Sequence, residues 1–155
     1  MKILQVTGFK NSGKTTTVNR MVEYLKEQNY KVAVIKHHHR DEVHDASTDT
    51  GKFIETGSDY TILNTPGTVM TVENKEPDLK QQIDEFSGLV DFILIEGYKE
   101  EGHPKIFMEY SFKSGHTNLN YISLPNVLKS FDIRYDEEAI MTWFKEWSID
   151  RKSVV

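Results

Sequence analysis

The feature that most constrains the fold of this chain is an eight-residue run near its beginning, GFKNSGKT at residues 8–15. Glycine stands at the first and sixth positions of the run, and lysine and threonine follow the second glycine. Residues 2–7 before it are mostly apolar and predict a buried strand, whereas apolar residues recur with helical spacing between residues 14 and 28. A glycine-rich turn that leads from a strand into a helix in this pattern is a Walker A motif, or P-loop.

Each position of the run has a physical role in holding a triphosphate. Backbone N–H groups and the positive end of the following helix replace the water that solvates the phosphate charges. Gly8 and Gly13 allow backbone angles and a close approach that a Cβ atom would prevent. Lys14 is expected to reach the outer phosphates and the Thr15 hydroxyl to ligate Mg²⁺. The alternative is a glycine turn between a strand and a helix that binds nothing.

The remainder of the chain predicts one α/β domain over residues 1–155. A strand at residues 31–36 completes a βαβ unit, and a second fully apolar run at 92–95 predicts another buried strand. We therefore expect a P-loop NTPase-like fold, with a mostly parallel sheet flanked by helices and some antiparallel edge strands. The other predicted elements are helices at 49–57, 79–86 and 140–147, strands at 60–63 and 68–72, and edge strands at 105–110 and 119–124. The apolar face of the last helix is expected to bury either within one protomer or in a dimer.

Composition excludes several classes of function. The formal net charge is -5 and no stretch of lysine and arginine stands out, which argues against a nucleic-acid-binding protein. The chain has no cysteine, so disulfides, thiolate zinc sites and cysteine nucleophiles are excluded. No segment approaches the roughly 20 apolar residues that cross a bilayer, and we expect a soluble cytoplasmic protein without a membrane partner.

Glu96 is the expected acidic partner of the P-loop. It follows the apolar strand at 92–95 directly, and open α/β sheets bind ligands at the carboxyl ends of their strands. Glu96 is therefore expected to help hold Mg²⁺ through water, whereas Asp91 at the other end of the strand is expected to end a turn. The alternative for Glu96 is a solvated residue at a strand end.

A histidine-rich segment follows the strand at 31–36. His37 and His39 point the same way if the segment is extended, and Asp49 lies a few residues further on. Imidazole and carboxylate groups suit a metal site, but the segment is equally compatible with a loop that faces phosphate or a partner, or with a solvent-exposed loop. No base-reading motif is visible, because the string NKEPD at residues 74–78 has one residue too many for Asn-Lys-x-Asp.

Three segments together resemble the molybdopterin-guanine dinucleotide biosynthesis adaptor family, MobB. They are TGFKNSGKTT at residues 7–16, VIKHHH at 34–39, and DFILIEGYK at 91–99 followed by PKI at 104–106. A weaker similarity covers residues 49–58, and the whole resemblance extends over residues 2–110.

The resemblance implies a GTP-binding adaptor of molybdenum cofactor biosynthesis. Its ligands would be GTP and Mg²⁺, its intrinsic GTPase activity weak, and its assembly a homodimer. Its partner would be the guanylyltransferase that attaches GMP to molybdopterin, and His37 and His39 would match the family's histidine pair. The phosphate-binding residues implied by position are Lys10, Asn11, Ser12, Gly13, Lys14, Thr15 and Thr16.

A small P-loop metabolite kinase is the alternative from another class. The P-loop and the chain length are compatible with a phosphotransferase. Such enzymes usually close a lid with several arginines over the phosphates, and this chain has only four scattered arginines. The adaptor interpretation is therefore preferred, and catalytic residues remain unassigned.

Overall fold

The computed structural model describes residues 1–39 and 45–150 of the 155-residue chain. These residues form two compact units, one of residues 1–38 together with those from 83 onward and one of residues 39–82. The strands within the described ranges are β1 Lys2–Gly8, β2 Val32–Lys36, β3 Tyr60–Asn64, β4 Val69–Glu73, β5 Phe92–Glu96, β6 Lys105–Met108, β7 Tyr110–Ser111, β8 His116–Thr117 and β9 Val127–Phe131. The four α-helices are α1 Lys14–Glu27, α2 Asp49–Thr56, α3 Leu79–Phe86 and α4 Glu137–Ile149, and a 3₁₀ turn covers Asn120–Ser123.

The first unit is built on a five-stranded sheet in the order β2-β5-β1-β6-β9, and all neighbouring strands in it are parallel. The strands β1, β5 and β6 are buried almost throughout, which is why their sequences are nearly continuous apolar runs. All five strands end at the same edge, and the loops that follow them meet there. This arrangement confirms the α/β class and places the P-loop at the edge where such sheets bind ligands.

The core of this unit packs α1 and α4 against one another and onto the sheet. Met21 and Leu25 on α1 are fully buried, as is Phe144 on α4. The rings of Trp143 and Trp147 stack 6.2 Å apart, and Trp147 also stacks on Phe144. The apolar face of the last helix is therefore buried within the protomer.

Two predicted edge strands are wrong. Residues 105–108 form β6, which lies between β1 and β9 with all four residues buried, so this strand is interior. Residues 119–124 contain the 3₁₀ turn and no strand. The place beside β6 is taken by β9, whose sequence VLKSF mixes apolar and polar residues too evenly to stand out.

The second unit contains α2 and an antiparallel hairpin of β3 and β4. The Thr48 hydroxyl accepts a hydrogen bond from the Gly51 N–H and caps α2, which ends at Gly57 in a left-handed conformation. The hairpin exposes much of its apolar surface, including Tyr60, Ile62 and Val69, which are 66, 58 and 68% exposed. None of the helices in the described parts of the chain is long and apolar enough to cross a membrane.

Candidate nucleotide-binding site

The loop between β1 and α1 adopts a conformation that depends on its glycines. Gly8 and Gly13 have φ angles of 147° and 90°, and Asn11 between them is left-handed at 60°. A Cβ atom on Gly8 would lie 2.5 Å from the Met108 carbonyl oxygen and 2.8 Å from the Ser12 hydroxyl. A Cβ atom on Gly13 would lie 2.8 Å from the Ile133 side chain. Both glycines are therefore required by close packing as well as by backbone angle.

The start of α1 offers N–H groups to an anion. Gly13 caps the helix without any side-chain hydrogen bond, and the first turn contains no acidic residue. The first N–H groups of a helix have no partner within the helix, and the helix dipole makes this end positive. Nearby, the buried Ser12 hydroxyl has no hydrogen-bond partner in the described part of the chain. A bound phosphate would satisfy these donors, so the loop fits a phosphate chain.

Two elements distant in sequence hold the loop in place. The Ser111 hydroxyl donates to the Lys10 carbonyl at 2.9 Å, and the Phe112 N–H donates to the Asn11 carbonyl at 2.9 Å. These contacts attach the β7–β8 hairpin to the outside of the loop. Ile133, from the segment between β9 and α4, packs against Gly13 from another side. Neither support was predicted from the sequence, because residues 111–155 contain no recognisable motif.

Thr15 and Glu96 lie together at the carboxyl ends of β1 and β5. The Thr15 hydroxyl donates a hydrogen bond to Glu96 Oε1 at 3.0 Å, and Lys36 Nζ lies 3.7 Å from the same oxygen. The Glu96 side chain is about one-tenth exposed, and both Thr15 and Lys36 contact its carboxylate. Hydroxyl and carboxylate oxygens are the ligands that Mg²⁺ prefers, and these residues fit a magnesium ion beside the phosphates.

Lys14 does not project freely into solvent, contrary to the expectation for a P-loop lysine without ligand. Its ammonium donates to the Gly8 carbonyl at 2.8 Å and so lies folded over its own loop. Burial lowers the pKa of Lys14, the nearby Glu96 carboxylate opposes this shift, and Lys36 and Lys99 add to it. Burial removes water from this ammonium, and negatively charged phosphate oxygens beside it would compensate for that loss.

Lys36 and Lys99 extend the positive charge beyond the P-loop itself. Lys36 ends β2, and Lys99 follows β5 and lies 6.0 Å from the Phe9 ring. The charges of both lysines lower the pKa of Lys14, and Lys36 also pairs with Glu96 at 3.7 Å. Their signal in the sequence is a lysine at the end of β2 and another three residues beyond the end of β5, two neighbouring parallel strands whose ends meet at one edge.

A strained turn after Glu96 brings the histidine segment to the same edge. Gly97 and Tyr98 have positive φ angles of 97° and 52°. The buried Gln5 side chain holds the turn by donating to the carbonyls of both residues, at 3.1 and 2.7 Å. The Tyr98 ring stacks on His37 with centroids 4.4 Å apart, and the His37 N–H donates to the Glu96 carbonyl at 2.9 Å.

His37 is therefore placed beside Glu96, whereas His39 and Asp49 belong to the second unit. Asp49 begins α2 as its only acidic first-turn residue. No three His, Asp or Glu side chains gather as a metal site within residues 1–39 and 45–150. His44, the next histidine after His39 in the sequence, lies outside the described residues. Asp91 accepts from the Lys31 N–H at 2.8 Å, away from the carboxyl edge.

Comparison with known proteins identifies similar chains. A family model described as MobB, molybdopterin guanine dinucleotide synthesis protein B, matches residues 3–128. The probable molybdopterin-guanine dinucleotide biosynthesis adapter protein of Bacillus subtilis is 35% identical over 108 residues, which are 67% of this chain and 62% of that protein. The corresponding adapter protein of Haemophilus influenzae is 36% identical over 112 residues, 68% of this chain and 62% of that protein. The matched segment thus spans less than two thirds of the length of these relatives.

Solved structures show the same fold. The crystal structure of Bacillus subtilis MobB matches with a TM-score of 0.63 and 29% identity, covering 83% of this chain and 77% of that one. A MobB homologue from Bacillus stearothermophilus matches with a TM-score of 0.67 and 24% identity, covering 94% of this chain and 97% of that one. The second likeness is evidence for the fold alone.

Proposed function

The chain belongs to the family of molybdopterin guanine dinucleotide synthesis protein B, MobB, and we propose that it is a GTP-binding adaptor of molybdenum cofactor biosynthesis. The observation that carries the nucleotide part is the pairing of Thr15 with Glu96 beside a P-loop whose helix begins without a side-chain cap. This arrangement supplies N–H groups for phosphates and two oxygen ligands for a cation at one place.

Residues 8–16 are proposed to wrap the phosphates of GTP. The backbone N–H groups of Lys10, Asn11 and Ser12 face the outer phosphates, while Gly13 and the first turn of α1, including Thr16, hold the inner ones. Lys14 exchanges its contact with the Gly8 carbonyl for phosphate oxygens. Thr15 would hold Mg²⁺ directly and Glu96 through water, and the ion would neutralise part of the phosphate charge.

Hydrolysis by this site is proposed to be slow. Fast P-loop GTPases place an attacking water with a dedicated side chain and stabilise the transition state with an arginine. The two arginines in the described part of the chain are both held by acidic neighbours: Arg20 pairs with Glu137 and Glu138, and Arg134 pairs with Asp132. This pairing also disfavours a metabolite kinase, which needs arginines that move with a lid. Phosphate release at a rate typical of kinases would contradict the adaptor assignment.

The partner is proposed to be the guanylyltransferase that joins GMP to molybdopterin, as the family names of the relatives suggest. The protein would present bound GTP or its site to that enzyme in the cytoplasm, without nucleic acid or membrane. The exposed apolar face of the β3–β4 hairpin supports a homodimer, because an isolated hairpin with such a surface is only marginally stable in water.

The test is a calorimetric titration of the purified protein with GTP and with ATP in the presence of Mg²⁺, followed by a pull-down with the guanylyltransferase. We expect tighter binding of GTP, loss of binding in Lys14→Ala, and capture of the enzyme by the wild-type protein. Arg20→Ala is the control, because Arg20 lies on α1 and its guanidinium hydrogen-bonds and pairs with Glu137 and Glu138 of α4. Failure to bind any nucleoside triphosphate, or failure to capture the enzyme, contradicts the corresponding part of the proposal.

A further inference from the structure

The structure contains a second charged cluster at the ligand edge of the sheet, which the phosphate site leaves unused. It lies in the segment between β9 and α4 and consists of Asp132 and Arg134 with the rings of Tyr110 and Tyr135. Arg134 Nε and Nη2 donate to the two oxygens of Asp132 at 3.1 and 2.7 Å. The Arg134 Cζ atom lies 3.6 Å from the centroid of the Tyr110 ring and 4.8 Å from that of Tyr135.

This cluster adjoins the P-loop on two sides. Ile133, the residue before Arg134, packs against Gly13. Ser111, the residue after Tyr110, donates to the Lys10 carbonyl. Arg134 and Tyr110 are therefore each next in sequence to a residue that contacts the phosphate loop. About one third of the Arg134 side chain remains exposed.

The cluster lies on the side of β1 opposite to the proposed magnesium position. Glu96, Lys36 and the strands that bear them, β5 and β2, lie on one side of β1, and β6 and β9 lie on the other. Thr15 and Glu96, which would hold the cation, lie toward the end of β5, so the outer phosphates are expected on that side of the loop. The nucleoside is then expected on the opposite side of the loop, toward β6 and β9. Tyr110 and Arg134 lie on that side.

Asp132 fixes which edge of the guanidinium is available. The carboxylate is buried, accepts from Nε and Nη2, and also accepts from the Arg134 backbone N–H at 3.0 Å. Hydrogen bonds from Arg134 hold the pKa of Asp132 below its usual range, so it remains an anion. With that edge engaged, the remaining N–H donors, on Nη1 and the far side of Nη2, form a second parallel pair directed away from Asp132.

A parallel pair of donors distinguishes the two purines. Guanine presents two acceptors, O6 and N7, along one edge, and a bidentate arginine matches both. Adenine presents the N7 acceptor beside an amino group at the same edge, so one of the two arginine donors would face another donor. The rings of Tyr110 and Tyr135 lie beside the Arg134 guanidinium. A base that lies in the plane of the guanidinium can stack on these rings.

We propose that Arg134, oriented by Asp132, recognises the O6 and N7 edge of the guanine base of the bound nucleotide. This inference rests on the proposed function, because it requires the phosphates to occupy the P-loop. It gives the guanine preference a structural basis without an Asn-Lys-x-Asp motif. Arg134 is then a specificity-determining residue and Asp132 a positioning residue.

The first test uses the unaltered protein and purine analogues, so it does not depend on a variant that folds. Inosine triphosphate keeps O6 and N7 but lacks the 2-amino group, whereas 7-deaza-GTP lacks N7 and ATP lacks O6. We expect GTP and inosine triphosphate to bind alike, and 7-deaza-GTP and ATP to bind roughly 10- to 100-fold more weakly. Inosine triphosphate that binds as weakly as ATP would show that another group reads the 2-amino group and would overturn the proposal.

The second test compares Arg134→Ala, Arg134→Lys and Asp132→Asn with Arg20→Ala as a matched control. The side chains of Arg20 and Arg134 are similarly exposed and both are paired with carboxylates. We expect Arg134→Ala to bind GTP only as well as ATP, with ATP affinity unchanged, and Arg134→Lys to restore little of the preference because a point charge cannot replace the fork. Asp132→Asn is expected to reduce the preference less, and Arg20→Ala not at all.

These outcomes separate this inference from the function on which it rests. A guanine preference that survives in Arg134→Ala refutes the role of Arg134 and leaves the GTP-binding adaptor intact. Absence of triphosphate binding in the wild-type protein, or binding that is unchanged in Lys14→Ala, refutes the phosphate site itself.

Discussion

At the scale of single residues, the site depends on charges that the fold only partly desolvates. Lys14 donates to the Gly8 carbonyl and its pKa is lowered by burial, while Glu96 is held by Thr15 and Lys36. In the proposed function the lysine exchanges this contact for a phosphate, and the carboxylate helps to hold a cation. The sequence indicated Lys14 and Glu96 as candidate site residues. Only the structure shows which groups they contact when no nucleotide is bound.

Lys14→Ala is expected to weaken nucleotide binding by about 10- to 100-fold or more, because a charged hydrogen bond to phosphate is lost. The fold should survive, since the substitution removes a partly buried ammonium whose desolvation is unfavourable. Calorimetric titration measures the first effect and a thermal melt the second. Normal nucleotide affinity in this variant would show that the P-loop interpretation is wrong.

Nucleotide affinity is expected to fall at alkaline pH. The free protein has a Lys14 pKa lowered by burial, and a bound triphosphate raises it again, so binding takes up a proton above the free-state pKa. Affinity should be constant well below that pKa and decrease as pH rises through it. Lys14→Met should show weaker binding without this decrease.

The pH dependence of unfolding is less specific for Lys14, because burial also lowers the pKa values of Lys2 and Lys105. Each of these lysines makes the folded state more stable as pH rises through its lowered pKa.

At the scale of elements, the loops at the carboxyl edge are fixed by contacts from distant segments. Gln5 on β1 holds the turn at Gly97 and Tyr98, and Ser111 and Ile133 support the P-loop. The buried Lys105 on β6 donates to the carbonyls of Glu101 and Pro125, which joins the loop after β5 to the loop before β9. These contacts explain how short loops around a parallel sheet keep one geometry.

Gly97→Ala is expected to disturb the site through its backbone. The φ angle of 97° costs a residue with a Cβ atom about 1–2 kcal/mol, and the new Cβ would lie 3.1 Å from that of His37. Gly88→Ala is the matched control, with a φ of 80° and no atom within 4 Å of the new Cβ. Both variants should unfold at lower denaturant concentration, but only Gly97→Ala should weaken nucleotide binding. Equal affinities in the two variants would separate the His37 stack from the nucleotide site.

At the scale of the whole molecule, one unit is built on a buried parallel sheet that carries the proposed nucleotide site, and the other contains a hairpin with exposed apolar side chains. Tyr60, Ile62 and Val69 lie on the same face of the hairpin in the β3–β4 register. The same face also carries Glu73, Thr71 and Asn64, the cross-strand partners of these residues, and three exposed apolar side chains close together on a two-stranded hairpin favour an interface. The proposed homodimer would cover it, and the C-terminal helix has no part in this argument because its apolar face is already buried.

Ile62→Asp is expected to convert the dimer to a monomer, because a carboxylate in an apolar interface loses its solvation. Sedimentation measures the assembly over a range of protein concentrations. Leu128→Asp is the control, since Leu128 is an exposed apolar residue on β9 of the other unit. A wild-type protein that stays monomeric at all concentrations, or a dimer that both variants retain, contradicts the assignment of this face.

The elements that the sequence predicted well are those with strong local patterns. Observed β1 and α1 agree with the predicted strand and helix around the P-loop, and β5 agrees with the apolar run before Glu96. The errors involve the far side of the sheet, where β6 was placed at an edge and residues 119–124 were given a strand. Strand order is decided by pairing between segments far apart in the chain, and periodicity within a segment carries no information about its neighbours.

The sequence by itself therefore determined the strand, glycine turn and helix around residues 8–15, the buried strands beside them and the position of Glu96 at the end of β5, because glycine spacing and continuous apolar runs are local requirements. Only the tertiary structure decided that Thr15 contacts Glu96, that Lys36 and Lys99 converge near Lys14, and that Asp132 and Arg134 adjoin the P-loop. These relations arise because parallel strands that are distant in sequence end at one edge of the sheet, where the loops that follow them come into contact.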